Sequence, residues 1–588
     1  MRLSILVYQS DWTPGAVTRL LNRWHARRAA FARAAAGFVS QPEPRTIGRV
    51  SRGRQLCAGN FMFAGHMIEA PGKSIWDLDP PDQAFLEELH GFTWLDDLAA
   101  TGDAKARMNA QAWTEEWIAR YGHGRGPGWM PDSAGRRLIR WINHAIFLLN
   151  AQDRQDAEAY YRSLGQQTIF LSRRWSATPS GVPRFEALTG LIYAGLALIG
   201  MEQHVAPATA ALSKECEHQI DALGGISSRN PEALLEVFTL LNWATSALSE
   251  AGQIPPKSIL SAIERIAPTL RALRHSDGSL ARFHGGGKGL EGRLDHALAA
   301  SGVRTPPGQG LAMGFSRLSA GRTSVIVDVA APAHGAGEVN AHASTLAIEV
   351  TSGRRPLLVS CGSGAPFGAK WSRVGRATGS HSVLDIKGLS SSRFGERTWR
   401  NGGTRNVLTD VPKDVRMRQH GDEGGTGLIA GHDGYSAAFG LTHVRSIDLS
   451  VDGRSIAGDD TLATITPEDN KRFDKALDEA KLQGIPFQIH FHLHPDVDPN
   501  LDLGGAAISL VQKSGEIWVF RHDGASTLSL EPSVYLEKGR LKPRATKQIV
   551  LTAKALEYAT RIRWTLAKAQ DTPAHVRDLE RDDSAYVI

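Results

Sequence analysis

Histidines set at strand spacing or beside glycine runs supply much of the reactive nitrogen in this chain. In VNAHASTLAIEVTSGRRPLLVSCGSG (339–364), His342 stands just ahead of a strand, and the pattern gives two strands joined at Ser352-Gly353. A histidine entering a sheet is ordinarily a satisfied packing residue, so His342 does chemistry only where partners converge on it. In IHFHLHPDVD (489–498), alternation puts His490, His492 and His494 on one strand face, a pattern open to a metal or polyanion site but better read as a plain histidine-rich sheet face, since no carboxylate clearly converges on it. RFHGGGKG (282–289) follows Arg282 and His284 with glycines whose N–H groups can cradle an anion. It lacks the GK[ST] and following helix of a P-loop, and it also reads as a flexible junction loop. SSRNPEALLE (227–236) offers Asn230 as an N-cap and Pro231 as the first helical residue. Glu232 and Glu236 then share one helix face, but a paired-carboxylate hydrolase needs a second acid from elsewhere, and none is evident. His144 in WINHAIFLL and Tyr193 in GLIYAGL lie in apolar helical runs and read as core.

The elements that position these residues change in kind along the chain. From about 87 to 275, apolar residues recur at helical spacing between Gly, Pro and Asp punctuation. GRRLIRWINHAIFLLN (135–150) has one broad apolar face, and RFEALTGLIYAGLALIG (184–200) is apolar nearly all round. Such helices with short connections pack as antiparallel pairs, giving a bundle or an α/α toroid. After SGVRTPPGQG (301–310) strand signals take over, with hairpins at Ser352-Gly353, Asp452-Gly453 and Ser514-Gly515. The expected fold is therefore α+β and multidomain: an irregular leader (1–86), an incomplete α/α toroid (87–305), an antiparallel β-sandwich (310–565) and a loosely ordered tail (566–588).

The 588 residues are 42% hydrophobic and 22% charged, ample for two large cores. A net charge of +6, with arginine concentrated in 45–54 and 354–376, favours an anionic partner. Nucleic acid is set aside because no basic helix, zinc-finger spacing or RNP-like motif occurs. Cys57, Cys216 and Cys361 lie far apart, which implies neither a disulfide framework nor a thiolate cluster. The apolar run of MRLSILVYQSDW is too short for a secretory signal, and no stretch has the length of a membrane span, so the expected compartment is the cytoplasm.

Helices first, sandwich second and polar motifs near the junction: the chain resembles the heparinase II/III-like polysaccharide lyases, in which an α/α toroid meets a β-sandwich and the sugar lies between them. That family carries a pattern like H-x-H-x-D-x-L-x-F-E, a strand ending in D-P-G, then R-x-T-x-x-H-N-T. Here NAHASTLAIEV, LLVSCGSG and RATGSHSVLDI stand in the same order. The resemblance places His342 and His381 on two zinc-holding positions, with Glu349 and Arg376 also matching. It places Asn340 where the sandwich-domain catalytic histidine is expected, and Ser360 where the zinc-binding aspartate is expected. Tetrahedral zinc needs a third ligand, from Ser360 or from Cys361 if the strand bulges, since only one of these faces His342. Bound zinc and two histidines hydrogen-bonded within a structural junction are the two readings. SSRNPEALLE looks like the family's S-x-N-N-H-L-x-x-E stretch, with Glu232 in place of its histidine. Where the family's catalytic tyrosine follows, this chain offers His284 and no tyrosine.

The resemblance implies β-elimination on a uronic-acid-containing acidic polysaccharide. The uronate carboxylate must be neutralised, the adjacent C5 proton removed and the leaving oxygen protonated. The candidate catalytic residues are Asn230, to bond the carboxylate, His284, as base or acid, and Asn340, whose amide orients but does not titrate. Arg229, Glu232, Arg282 and Arg376 are the candidate substrate contacts, the arginines suiting a planar carboxylate. A non-catalytic glycan-binding or envelope-associated protein that keeps the groove is the alternative, and a glycoside hydrolase the third reading. Family lyases generally act in the periplasm or outside the cell, which is the alternative location.

Overall fold

A computed structural model describes residues 15–31, 35–39, 43–308, 310–334, 338, 340–398 and 404–569. The chain folds as an N-terminal α/α toroid followed by an antiparallel β-sandwich. The apolar run at 184–200 becomes helix Val182–Ala197, buried along nearly its whole length. It packs against helices Pro131–Asn143, Val205–Gln219 and Pro231–Glu250. The crossing with Pro131–Asn143 is backbone to backbone. A Cβ on Gly190 would lie 2.6 Å from the Gly135 carbonyl oxygen, and one on Gly135 would lie 2.6 Å from the Glu186 carbonyl oxygen. Around this contact an aromatic core forms, with Trp141 stacked on Tyr160 and Trp117 edge-on to Trp141. His144 is a satisfied core histidine, its Nε2 2.8 Å from Asp96 Oδ1.

The sandwich comprises two large sheets in which every pairing is antiparallel. The sheet bordering the toroid runs Thr527–Tyr535, Arg544–Ala555, Ile485–Leu493, Arg355–Val359, Ile348–Ser352, Thr323–Asp328, Phe315–Ala320, with Leu384–Ile386 paired on Ile485–Leu493. The other runs Val415–Asp422, Gly425–Tyr435, Leu441–Ser450, Ser455–Ala463, Ala559–Lys568, Ile517–His522, Ala507–Gln512, Val497–Asp502. Phe491, Phe520 and Trp564 close the core between them. Among the described residues no helix is long and apolar enough to cross a membrane.

Three expectations are adjusted. The expected irregular leader is not irregular throughout: its described residues hold helices Ala16–Ala29 and Val50–Cys57 and the hairpin Asn60–Phe63 with His66–Glu69, while residues 1–14 lie outside the described residues. Neither helix has a side-chain cap or an acidic residue in its first turn, so the usual start signals are missing. The first hairpin turns at Gly353-Arg354, since Ser352 pairs with Arg355, and Gly353 takes the positive φ of 58°. Strand Ala559–Lys568 runs past the expected start of the tail, and residues 570–588 lie outside the described residues.

The Gly135–Gly190 contact leaves no room for a methyl group. Gly190→Ala is expected to cost about 1–3 kcal/mol through overpacking. The denaturant midpoint measures this loss, and a control Gly308→Ala, where a Cβ meets nothing within 4 Å and the backbone is not in the positive-φ region, separates packing from the effect of adding a methyl group.

Candidate functional site at the domain junction

One carboxylate organises the place where toroid and sandwich meet. Asp328 ends strand Thr323–Asp328 and is fully buried. Its Oδ1 takes Arg229 Nη2 at 2.5 Å, and its Oδ2 takes the Ser344 hydroxyl at 2.7 Å. His284 Nε2 lies 3.3 Å from the same Oδ2, a charge contact without good hydrogen-bond alignment. Burial pushes the Asp328 carboxyl up, but the Arg229 charge and the His284 contact outweigh it and lower it to about 2. The remaining Arg229 N–H groups go to the carbonyls of Met313, Gly314, Ala330 and Ala331, and its guanidinium lies over Phe315.

His284 is held on both sides. Its Nδ1 accepts the backbone N–H of His342 at 3.1 Å, so the ring proton sits on Nε2, facing Asp328. Burial keeps the imidazole neutral against the pull of Asp328. His342 Nδ1 lies 3.2 Å from His381 Nε2, and His381 Nδ1 lies 2.9 Å from the Ser360 hydroxyl. The two histidines are buried and therefore neutral, His381 lowered to about 4 and His342 well below its ordinary value. From beneath, Arg445 donates to the carbonyls of Leu346 and Ser382, fixing the two loops that carry this pair, and is itself gripped by Asp460 at 2.7 Å.

The other expected residues divide between structure and groove. Asn230 caps helix Pro231–Glu250, its Oδ1 accepting from Glu232 and Ala233 N–H at 3.0 and 3.1 Å. Gly286 crosses so close that a Cβ would lie 2.7 Å from that oxygen, and one on Gly285 would lie 3.2 Å from Asn340 Cβ. Asn230, His284, Asn340 and His342 are thus brought together. Arg229 is not a free substrate contact, because carbonyls and Asp328 occupy it. Arg282 is buried with its guanidinium over Tyr535, and its backbone N–H donates to Glu349 Oε2 at 3.0 Å. Arg376 is buried, donating to the carbonyls of Ala341 and Asn406, while its Nη2 has no hydrogen-bond partner. Burial lowers this guanidinium to about 10. Glu232 bonds Lys538 across the toroid–sandwich junction, whereas Glu236 pairs with Arg293. Sequence reasoning missed Asp328, Ser344 and Lys538; a lone aspartate closing the apolar run SVIVD was the one available signal.

These donors do not make a zinc site. Ser360 offers a neutral hydroxyl on the far nitrogen of His381, and Cys361 turns away to His492 Nδ1 at 3.6 Å, its thiol raised to about 11 by burial. Among the described residues no group of three or more His, Cys, Asp or Glu converges as metal ligands. His490 and His492 stack face to face and find their own partners in Asp385, Gln548, Ser533 and the Gly379 carbonyl.

A toroid joined to an antiparallel sandwich, with a polar seam and glycine loop between them, defines the class of toroid–sandwich polysaccharide lyase folds. Heparinase III shares this fold with a TM-score of 0.64 at 12% identity, over 94% of this chain and 89% of that one. A heparan sulfate lyase mutant from Pedobacter heparinus gives 0.57 at 16% identity, over 95% and 89%. Residues 302–565 match the family description "Heparinase II/III-like, C-terminal", and the chain belongs to the heparinase II/III-like family as a divergent member. It is also 30% identical over 551 residues to FtsZ-localized protein C of Caulobacter vibrioides, covering 91% of both chains.

Two measurements follow from this geometry. Asp328→Asn leaves the Arg229 guanidinium buried without its counter-charge and is expected to cost about 3–5 kcal/mol in urea unfolding. Protein purified without a metal-affinity tag is expected to carry far less than one zinc per chain by mass spectrometry. Ser360→Asp, restoring a carboxylate beside His381, is expected to raise that content; near-stoichiometric zinc in the unaltered chain, lost in a His342→Ala, His381→Ala double variant, contradicts this view of the donor set.

Proposed function

We propose that this chain acts by binding an acidic saccharide in the interdomain groove, without the β-elimination chemistry of the lyases whose fold it shares. One observation carries this reading: the groups that elimination requires are engaged inside the protein. His284 faces a backbone N–H on one side and Asp328 on the other, so neither nitrogen is offered to a C5 proton. Asn340 does not titrate, and the Arg229 fork is occupied. What the junction offers an anion is Lys538, 40% exposed, and the Gly287 N–H, both engaged by the one Glu232 carboxylate that an incoming anion can replace. The hydrolase reading finds no support in Glu232 and Glu236, each already in an ion pair.

The relative named as FtsZ-localized supports a place for this chain alongside FtsZ. Both chains match along nearly their full lengths, so the likeness includes the toroid as well as the sandwich.

Incubation of the folded protein with heparan sulfate, chondroitin, glucuronan and polygalacturonate is expected to give no ultraviolet absorbance from unsaturated uronate. A fluorescent fusion is expected to gather at the division plane while FtsZ is present and to disperse on its depletion. Unsaturated product that disappears in His284→Ala favours the lyase reading instead.

A further inference from the structure

Two ion pairs of opposite polarity cross the groove at the glycine loop. Lys538, in the loop between strands Thr527–Tyr535 and Arg544–Ala555, places Nζ 2.6 Å from Glu232 Oε2 in the first turn of helix Pro231–Glu250. The same carboxylate oxygen accepts the Gly287 N–H at 2.9 Å. Lys288, next along the glycine loop, reaches back to Glu537 at 3.1 Å, and Glu537 is steadied by Arg540 at 3.2 Å. The Lys538 side chain is 40% exposed, whereas Arg229, Arg282 and Arg376 are buried. Lys538 and Lys288, the latter 53% exposed, are therefore the cations an incoming anion meets, and Lys538 is the one whose partner also holds a backbone N–H. Its Cδ lies only 3.2 Å from where a Cβ on Gly287 would stand, so the lysine lies directly on the glycine loop.

We propose that this paired contact is an anion-exchange gate. A carboxylate or sulfate of an acidic glycan replaces the Glu232 carboxylate on Lys538, and the segment 536–542 moves aside as the glycan enters. The proposal rests on the binding reading above and names the groups that select the ligand. Glu232 presents to Lys538 the functional group that a uronate carries, so the closed groove already holds a mimic of its occupant. A solvent-exposed ion pair contributes little net stability, which makes the exchange inexpensive. Displacing Glu232 also frees the Gly287 N–H, a second donor aimed at the same anion. Because Glu537 and Lys538 are adjacent, the Lys288–Glu537 pair opens in the same movement.

Titration calorimetry on the full chain tests the gate, with a sulfated heparin oligosaccharide, an oligogalacturonate, neutral dextran and poly-glutamate as probes. Glu232→Gln keeps an acceptor for Gly287 but removes the competing charge, and about fivefold tighter binding of both acidic sugars is expected. Lys538→Met is expected to weaken both by at least about fivefold, with thermal midpoints of all variants unchanged. Amide exchange across 285–288 and 536–542 in the unaltered chain is expected to rise when an acidic sugar is added. Equal affinity in the unaltered chain and Glu232→Gln overturns the gate and leaves the binding reading standing. No acidic sugar bound by either protein overturns both. Poly-glutamate bound more tightly than the sugars overturns the glycan as occupant.

Discussion

The buried Arg229–Asp328 pair is the constraint to which the junction answers. A carboxylate shut away from water is costly unless charge and hydrogen bonds surround it, and here its partners come from three separate segments. Arg229 precedes a toroid helix, His284 belongs to the glycine loop, and Ser344 follows the loop of His342. Satisfying Asp328 thus fixes the position of toroid, glycine loop and sandwich together. The backbone bends to allow it: Arg229, His284, Met313 and Leu346 all take positive φ, at 55°, 48°, 53° and 67°. Each such non-glycine residue costs about 1–3 kcal/mol, and the surrounding bonds hold them there. Leu346 N–H bonds the Asp328 carbonyl at 2.7 Å, and Met313 supplies a carbonyl to Arg229, so the strained residues are the very ones that complete the network.

That solution also decides how much of the seam is left open to a ligand. In a toroid–sandwich lyase the seam must leave titratable nitrogen open to the sugar. Here the same seam is closed upon itself: His284 bridges Asp328 and the His342 amide, and His342 joins His381 and Ser360 in one hydrogen-bonded run. A hydroxyl in place of a carboxylate lowers the local negative charge, and two neutral imidazoles then need only share a proton to be satisfied. Arg445 grips both of these loops through the Leu346 and Ser382 carbonyls.

What was legible in the sequence follows from the range of each interaction. Helix Val182–Ala197 and the hairpins announced themselves through local periodicity and turn residues, and Asn230 through its place before Pro231. The ordered motifs around His342 and His381 led to the family because they lie close together along the chain. Asp328 was hidden in an apolar strand run that reads as core, and its significance comes from Arg229, 99 residues away. Lys538 and Glu232 are 306 residues apart; Glu232 stands in a recognisable motif, but Lys538 has no local pattern that separates it from an ordinary surface charge. Arg229 was misjudged for a related reason: a guanidinium beside a helix cap reads as free to meet a ligand until the carbonyls that enclose it are seen.

The two charge pairs at the junction differ in the property that decides their use. Arg229–Asp328 is dry, multiply bonded and costly to break, so it sets geometry and resists exchange. Lys538–Glu232 is wet, made by one contact on the lysine side, and weak by comparison, so another anion can compete for it. Salt acts on them unequally, because mobile ions screen an exposed pair and reach a buried one hardly at all. On the binding reading proposed above, the first pair keeps the junction fixed while the second yields, a division of labour that ligand exchange at a rigid seam demands.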